Sequence, residues 1–275
     1  MKELVTIIII AHKELLSQNE KESLIQCYRV LNKYPIKIIC PHGLNVNEYK
    51  NLVPQISIVF IDPKWQSDYR MFNELKKSEL LYEKFKNYNF LLFYELDAWV
   101  FRDELAYWCI RSYDYVGAPW FEGWHEAGKS SKIIGIGNGG FSIRNIGSSI
   151  RLLKRVNKIR SLRKFWFISR LQAIWPFYKM LSFCKRYFHI RDISNIHDLI
   201  FEHYNQVNED YFWTKLIAET FDDYKLATIE DAITFSFDVN PALLYQKNNH
   251  RLPFGCHAWE RYEPEFWKPF ILNKE

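Results

Sequence analysis

Two carboxylates near the end of an apolar run are the first chemical lead in this 275-residue chain. In FLLFYELDAWVF, residues 90–101, Glu95 and Asp97 stand two apart, and side chains two apart on a strand point to the same side. A strand of this kind in an open α/β sheet delivers its C-terminal residues to the crevice where ligands bind. Two acids there suit a divalent cation or the hydroxyls of a sugar. The competing reading is a solvated acidic pair with no ligand.

Three further segments carry groups able to act with that pair. Glu209 and Asp210 open NEDYFWTKLIAETF, where Asn208 or Glu209 can cap a helix whose positive end stabilises a carboxylate. Capping accounts for one of these acids but not for both. In HRLPFGCHAW, residues 250–259, His257 sits in a loop between Gly255 and Trp259. A lone loop histidine is more often a surface residue than a ligand, yet imidazole is a common metal ligand. The run GIGNGG, residues 135–140, matches the spacing of a phosphate-binding loop but leads into FSIR rather than a helix. It reads better as a tight turn that lets its amides and Asn138 approach a ligand closely, which glycine permits.

The elements that must position these groups follow a strand and helix alternation. Residues 4–11 are β-branched and apolar without alternation, as in a parallel strand covered on both faces. A helical segment ESLIQCYRVLNKY follows, then strands over 36–41 and 56–62, a helical stretch over 68–88, and the strand at 90–101. This order predicts a mostly parallel, helix-covered sheet whose strand ends gather on one edge. Residues 121–134 mix Gly, Ser and charge in the manner of a loop.

Residues 146–191 contain twelve Lys or Arg and no Asp or Glu, interleaved with aromatic and aliphatic side chains. Such a basic amphipathic stretch suits an anionic membrane surface, or else a solvated helical hairpin lying on the main domain. Nucleic acid is disfavoured, since no binding motif accompanies the charge and the acids elsewhere repel phosphates unless a metal intervenes. The net charge of +5 concentrates here. Aromatic residues make up 17% of the chain, enough for packing and for flat platforms on which sugar or base rings stack. Five scattered cysteines without metal-ligand spacing indicate a reducing compartment. With no leader-like cleavage site and no apolar stretch near ~20 residues, the expected location is cytoplasmic, or peripheral at the inner membrane face.

Taken in order, YELDAWVF, DYVGAPW, GNGGFSIR, NEDYFW and PFGCHAW resemble an uncharacterised, domain-of-unknown-function family of glycosyltransferase-like proteins with the GT-A, nucleotide-sugar-binding fold. The resemblance covers roughly residues 4–145 and 205–260. It implies one GT-A-type α/β domain over 1–275, with a mostly parallel Rossmann-like sheet, helices on both faces, and the basic aromatic insert at 146–195 outside it. Glu95 and Asp97 stand where such enzymes carry an Asp-x-Asp metal motif, with Glu replacing the first Asp. Asp97 and His257 are thereby implied as ligands of Mn²⁺ or Mg²⁺. Ala11 and His12 would lie near the nucleotide base, while Glu95, Trp120, Asn138, Gly139, Gly140 and Trp259 would contact donor or substrate, with Trp120 stacking on a sugar ring. NED resembles the acidic motif of inverting members, so Asp210 would act as general base and Glu209 would touch the acceptor. The implied activity is metal-dependent transfer from a nucleotide-diphosphate sugar to a glycan or lipid-linked acceptor in cell-surface polysaccharide biosynthesis. A nucleotidyltransferase using the same carboxylates, or a non-catalytic glycan-binding module using the aromatics, are the alternatives.

Overall fold

The computed structural model describes residues 2–171 and 207–272, the side chains of 159–171 excepted. Strand β1 (Glu3–Ile10) is buried along its last six residues, as its unbroken apolar run requires. Helix α1 (Gln18–Leu31) begins at Ser17, whose hydroxyl accepts from the Glu20 N–H while the Glu20 carboxylate accepts from the Ser17 N–H. That reciprocal cap satisfies two donors the helix cannot. Next come β2 (Ile36–Pro41), α2 (Asn47–Leu52) and β3 (Ser57–Ile61). The single helical stretch expected over 68–88 is two helices, α3 (Tyr69–Lys76) and α4 (Glu79–Lys84). Each has its own cap: Asp68 accepts from Met71 N–H and Ser78 accepts from Leu81 N–H.

The strand expected over 90–101 is also divided. β4 (Tyr88–Tyr94) ends before the acidic pair, and β5 (Trp99–Val100) belongs to a second sheet. Between them the chain turns, with Ala98 N–H donating to the Glu95 carbonyl at 2.9 Å. Glu95 and Asp97 therefore share a cleft because a turn aims them there, not because alternate strand positions share a face. Continuing along the chain are α5 (Leu105–Ile110), β6 (Tyr115–Val116), β7 (Ala118–Phe121), β8 (Ile133–Gly137), β9 (Phe141–Asn145) and α6 (Ile146–Leu171). The main sheet runs β3-β2-β1-β4-β9-β6, its first four strands parallel and β9 antiparallel to both neighbours. β7 pairs with β8, and the glycine run 135–140 carries the chain from the end of β8 into β9 of the main sheet, so it is not a βα phosphate loop. That second, three-stranded sheet joins β5 to β11 (Gly255–Cys256) and β11 to β10 (Ser236–Phe237).

The first turns of α6 dock on the domain. Leu152, Leu153 and Val156 are buried, Arg151 and Arg155 pair with Asp223, and Lys154 pairs with Glu83 at 2.8 Å. That part of the basic stretch is a helix docked on the body of the protein; residues 172–195 of the expected insert lie outside the described residues. No described helix is long and apolar enough to cross a membrane. Cys27, Cys40, Cys109 and Cys256 are buried and free.

Asp114 fastens α6 to the sheet edge. Its carboxylate is buried and accepts from the Ser148 hydroxyl and, at 2.8 Å, from the Lys225 N–H. Hydrogen bonds to a charged acceptor contribute more than neutral ones, and the partners would be left buried without it. Asp114→Ala should therefore cost roughly 2–3 kcal/mol in urea denaturation, whereas a change below ~0.5 kcal/mol would show that the clamp is not needed.

Candidate functional site

The ends of β1 and β4, the turn after β4, and the loops bearing Asn138, Asp210 and His257 enclose a cleft with two compartments. The larger, about 490 Å³, is bordered by Ala11, His12, Tyr49 and Asp97. The smaller, about 210 Å³, is bordered by Trp120, Asn138, Gly139, Gly140, Asp210 and His257. Tyr69, Phe72 and Glu95 belong to both, so the acidic turn stands at their junction.

Three donors meet at that junction. His257 Nε2 lies 3.2 Å from Asp97 Oδ1 and 3.7 Å from Glu95 Oε2, and the ligand atoms of all three residues fall within 4.8 Å of one another. An octahedral ion with ligands at ~2.1 Å holds adjacent donors ~3 Å apart, so two oxygens and one imidazole at this spacing fit Mn²⁺ or Mg²⁺. The other oxygen of Glu95 is engaged by Lys76. Behind the ring, Asp238 Oδ1 lies 3.6 Å from His257 Nδ1, the outer carboxylate that orients many metal-binding imidazoles. Burial pushes the His257 pKa down, but Asp97, Asp238 and Glu95 together hold it well above the usual range. Burial likewise pushes Glu95 up, while Lys76 and His257 hold its carboxyl well below the usual carboxylate range. The pocket is thus built to favour a positive charge at this point.

Close backbone approach brings the two loops together. A Cβ on Gly140 would stand 2.1 Å from His257 Nε2, and one on Gly139 would stand 1.7 Å from Glu209 Oε1. Asn138, at φ 76, accepts the Gly140 N–H on its side-chain oxygen at 2.8 Å and the Tyr115 hydroxyl on its carbonyl at 2.7 Å. Asn is among the few residues that tolerate this left-handed conformation. Its Nδ2 is buried and has no hydrogen-bond partner among the described residues, and the residue borders the smaller compartment.

Glu209, expected to touch an acceptor, borders the smaller compartment but is almost wholly buried and ion-paired. It is 3% exposed, and Arg144 Nη1 lies 2.7 Å from its Oε2 while Lys76 Nζ lies 3.6 Å from its Oε1. The expected side-chain cap by Asn208 is also absent; Asn73 on α3 accepts the Glu209 N–H at 2.9 Å instead. Asp210 keeps its place on the cleft wall. Burial, reinforced by the neighbouring Glu209 charge, pushes its pKa up to about 6.

The other expected contacts divide. Ala11 and His12 border the larger compartment. Trp120 borders the smaller but is only 8% exposed, because Trp124 and Tyr211 cover it at ring separations of 4.7 and 6.5 Å. Trp259 is not a cleft residue: it is buried in a second core, edge-on to Trp99 at 6.3 Å. Lys76, Arg144, Asp238 and Trp124 were not anticipated. Arg144 gave a signal, a charge inside the strand FSIRN, whereas nothing sets Lys76 apart from Lys77 in the sequence.

These features define an α/β protein with a metal-competent cleft at the carboxyl edge of its parallel strands. The chain belongs to the family described as Protein of unknown function (DUF5672), which matches residues 55–257. No curated protein matches it. Similar solved structures include the galactosyltransferase LgtC in complex with donor and acceptor sugar analogs (10% identity, 92% of this chain and 86% of that one, TM-score 0.46). Others are the glycosyltransferase GlyE of Streptococcus pneumoniae TIGR4 (10%, 100% and 61%, 0.49) and a glycosyltransferase involved in glycosylation of the major capsid of PBCV-1 (12%, 95% and 96%, 0.43). The chain spans 61% of the length of GlyE. Likeness at these identities and TM-scores assigns no activity.

Removing one partner of a buried ion pair strands the other charge. Arg144→Met should cost ~3–5 kcal/mol of stability in urea denaturation, and adding Glu209→Gln should recover part of the loss. A double variant no more stable than Arg144→Met would show that the pair is not coupled.

Proposed function

We propose that this protein is a divalent-metal-dependent, inverting glycosyltransferase that moves a sugar from a nucleotide diphosphate to an acceptor hydroxyl. The observation that supports it best is the Asp97–His257–Glu95 donor cluster at the junction of two compartments, with Asp210 on the wall of the second. In this reading the nucleotide takes the larger compartment beside Ala11 and His12, and the sugar to be moved reaches past the junction. Asp97 and His257 would hold Mn²⁺ or Mg²⁺, with Glu95 Oε2 beside them, and a cation bound there would supply positive charge against the diphosphate leaving group. Asp210 accepts the proton of the acceptor hydroxyl as that oxygen attacks the anomeric carbon and the bond to the diphosphate breaks. Asn138 Nδ2 supplies a donor for a sugar oxygen. The acceptor we infer is a cell-surface glycan or a lipid-linked precursor of one.

Ligands that bind only the native state raise its stability by mass action. A thermal-shift screen with UDP-, GDP-, CMP- and dTDP-sugars should give a Mn²⁺-dependent rise for one nucleotide, and Asp97→Ala should abolish it. No shift from folded protein would sink the donor site. Release of pyrophosphate from a nucleoside triphosphate would favour nucleotidyl transfer instead.

Asp210 must be ionised to accept a proton, and its pKa lies at about 6. Turnover per unit of free enzyme should therefore fall as pH drops through about 6. Asp210→Asn should lower kcat by ~10²–10⁴ while leaving the nucleotide shift intact. Undiminished turnover in that variant would remove Asp210 as the base.

A further inference from the structure

One part of the smaller compartment has no use in the scheme above. Trp124 stands on its rim, 41% exposed, at the start of a 3₁₀ turn (Trp124–Glu126). Its ring lies 4.7 Å from that of Trp120 and 6.0 Å from that of Tyr211, tilted 26° to the latter. Tyr211 directly follows Asp210, so the aromatic cluster adjoins the carboxylate assigned as base. The backbone is forced to present it: Gly123 has φ 87 and Trp124 itself φ 53. A bulky residue in the left-handed region costs on the order of 1–3 kcal/mol and persists only where its surroundings impose it. Here they do so through His125, whose ring hydrogen-bonds and stacks on Tyr262, and through Gly128, whose carbonyl accepts from Asn240 at 3.1 Å.

We propose that Trp124, backed by Trp120 and Tyr211, is the platform of an acceptor subsite that takes a neutral pyranose ring. This rests on the glycosyl-transfer reading and goes further by making the acceptor group itself a sugar. The C–H bonds on one face of a pyranose carry partial positive charge and apolar surface, which match the negative face of an indole. The hydroxyls on the ring edge would meet Asp210, His125 and Arg261, which border the same compartment. A phosphate-bearing group would place negative charge beside the Asp210 carboxylate, so a neutral ring is the better occupant. A lipid tail is disfavoured because the exposed indole is set among polar side chains rather than in a broad apolar patch.

Saturation-transfer NMR on the full chain with methyl glycosides of glucose, galactose and N-acetylglucosamine, and with their β-linked disaccharides, tests the subsite without turnover. Transfer to the axial ring protons of at least one sugar is expected. It should weaken roughly tenfold in Trp124→Ala and persist in Trp124→Phe, with the melting temperatures of both near that of the parent. No transfer to any sugar, or equal transfer in Trp124→Ala, overturns the proposal. The nucleotide thermal shift separates the two readings: a Trp124-dependent sugar signal without any nucleotide shift keeps the subsite and removes the donor site, and the reverse pattern removes the subsite alone.

Discussion

The site depends on one buried carboxylate. Glu209 is held between Arg144 from strand β9 and Lys76 from the end of α3, and Lys76 in turn engages Glu95 on the turn after β4. Two cations and two acids thus join four separate parts of the chain: α3, the turn after β4, β9 and the segment at 208–211. Desolvating such charges is costly, and only good geometry with further hydrogen bonds offsets it. Arg144 supplies these by facing Ser142 and Tyr82 and by lying over the Phe93 ring at 4.1 Å. The outcome is positional: the acidic turn at 95–97 and the segment at 208–211 are fixed against each other across the cleft.

The same network divides labour among the acids. Of the adjacent pair Glu209 and Asp210, the first is neutralised by Arg144 and Lys76 and becomes structural. The second forms no ion pair with them, and burial beside the Glu209 charge outweighs the nearby Lys76 and Arg144 and raises its pKa to about 6. At the junction the ordering reverses: Lys76 and His257 keep Glu95 ionised, and Asp97 and Asp238 hold His257 toward its charged form. In the proposed scheme, such a cleft would hold a cation at one point and a proton acceptor at another.

Much of the fold was legible in the chain because it follows from local pattern. The apolar run at 4–11 became β1, since a run with no polar alternation is covered on both faces, and the strand expected at 36–41 is β2. The glycine run was read as a tight turn approaching a ligand rather than as a phosphate loop; what Gly139 and Gly140 approach in the fold are the Glu209 and His257 side chains. The splits at 77–78 and 95–98 were missed because each turns on a single cap or turn hydrogen bond inside a stretch of uniform composition. Trp259 was misread because an aromatic residue beside His257 looks the same in sequence whether it lines a cleft or fills a core.

By itself the sequence determined the α/β alternation, the acidic pair, the glycine turn, and the late histidine and NED segments as carriers of chemistry. Only the tertiary structure decided how they are used. Lys76 and Arg144 are ordinary basic residues until the fold buries them beside Glu209. Trp124 is one of ten tryptophans until a left-handed turn lifts it over Trp120. The physical reason is that side-chain type and spacing specify local geometry, whereas burial, charge partners and exposed ring faces arise from elements tens to hundreds of residues apart meeting at one sheet edge.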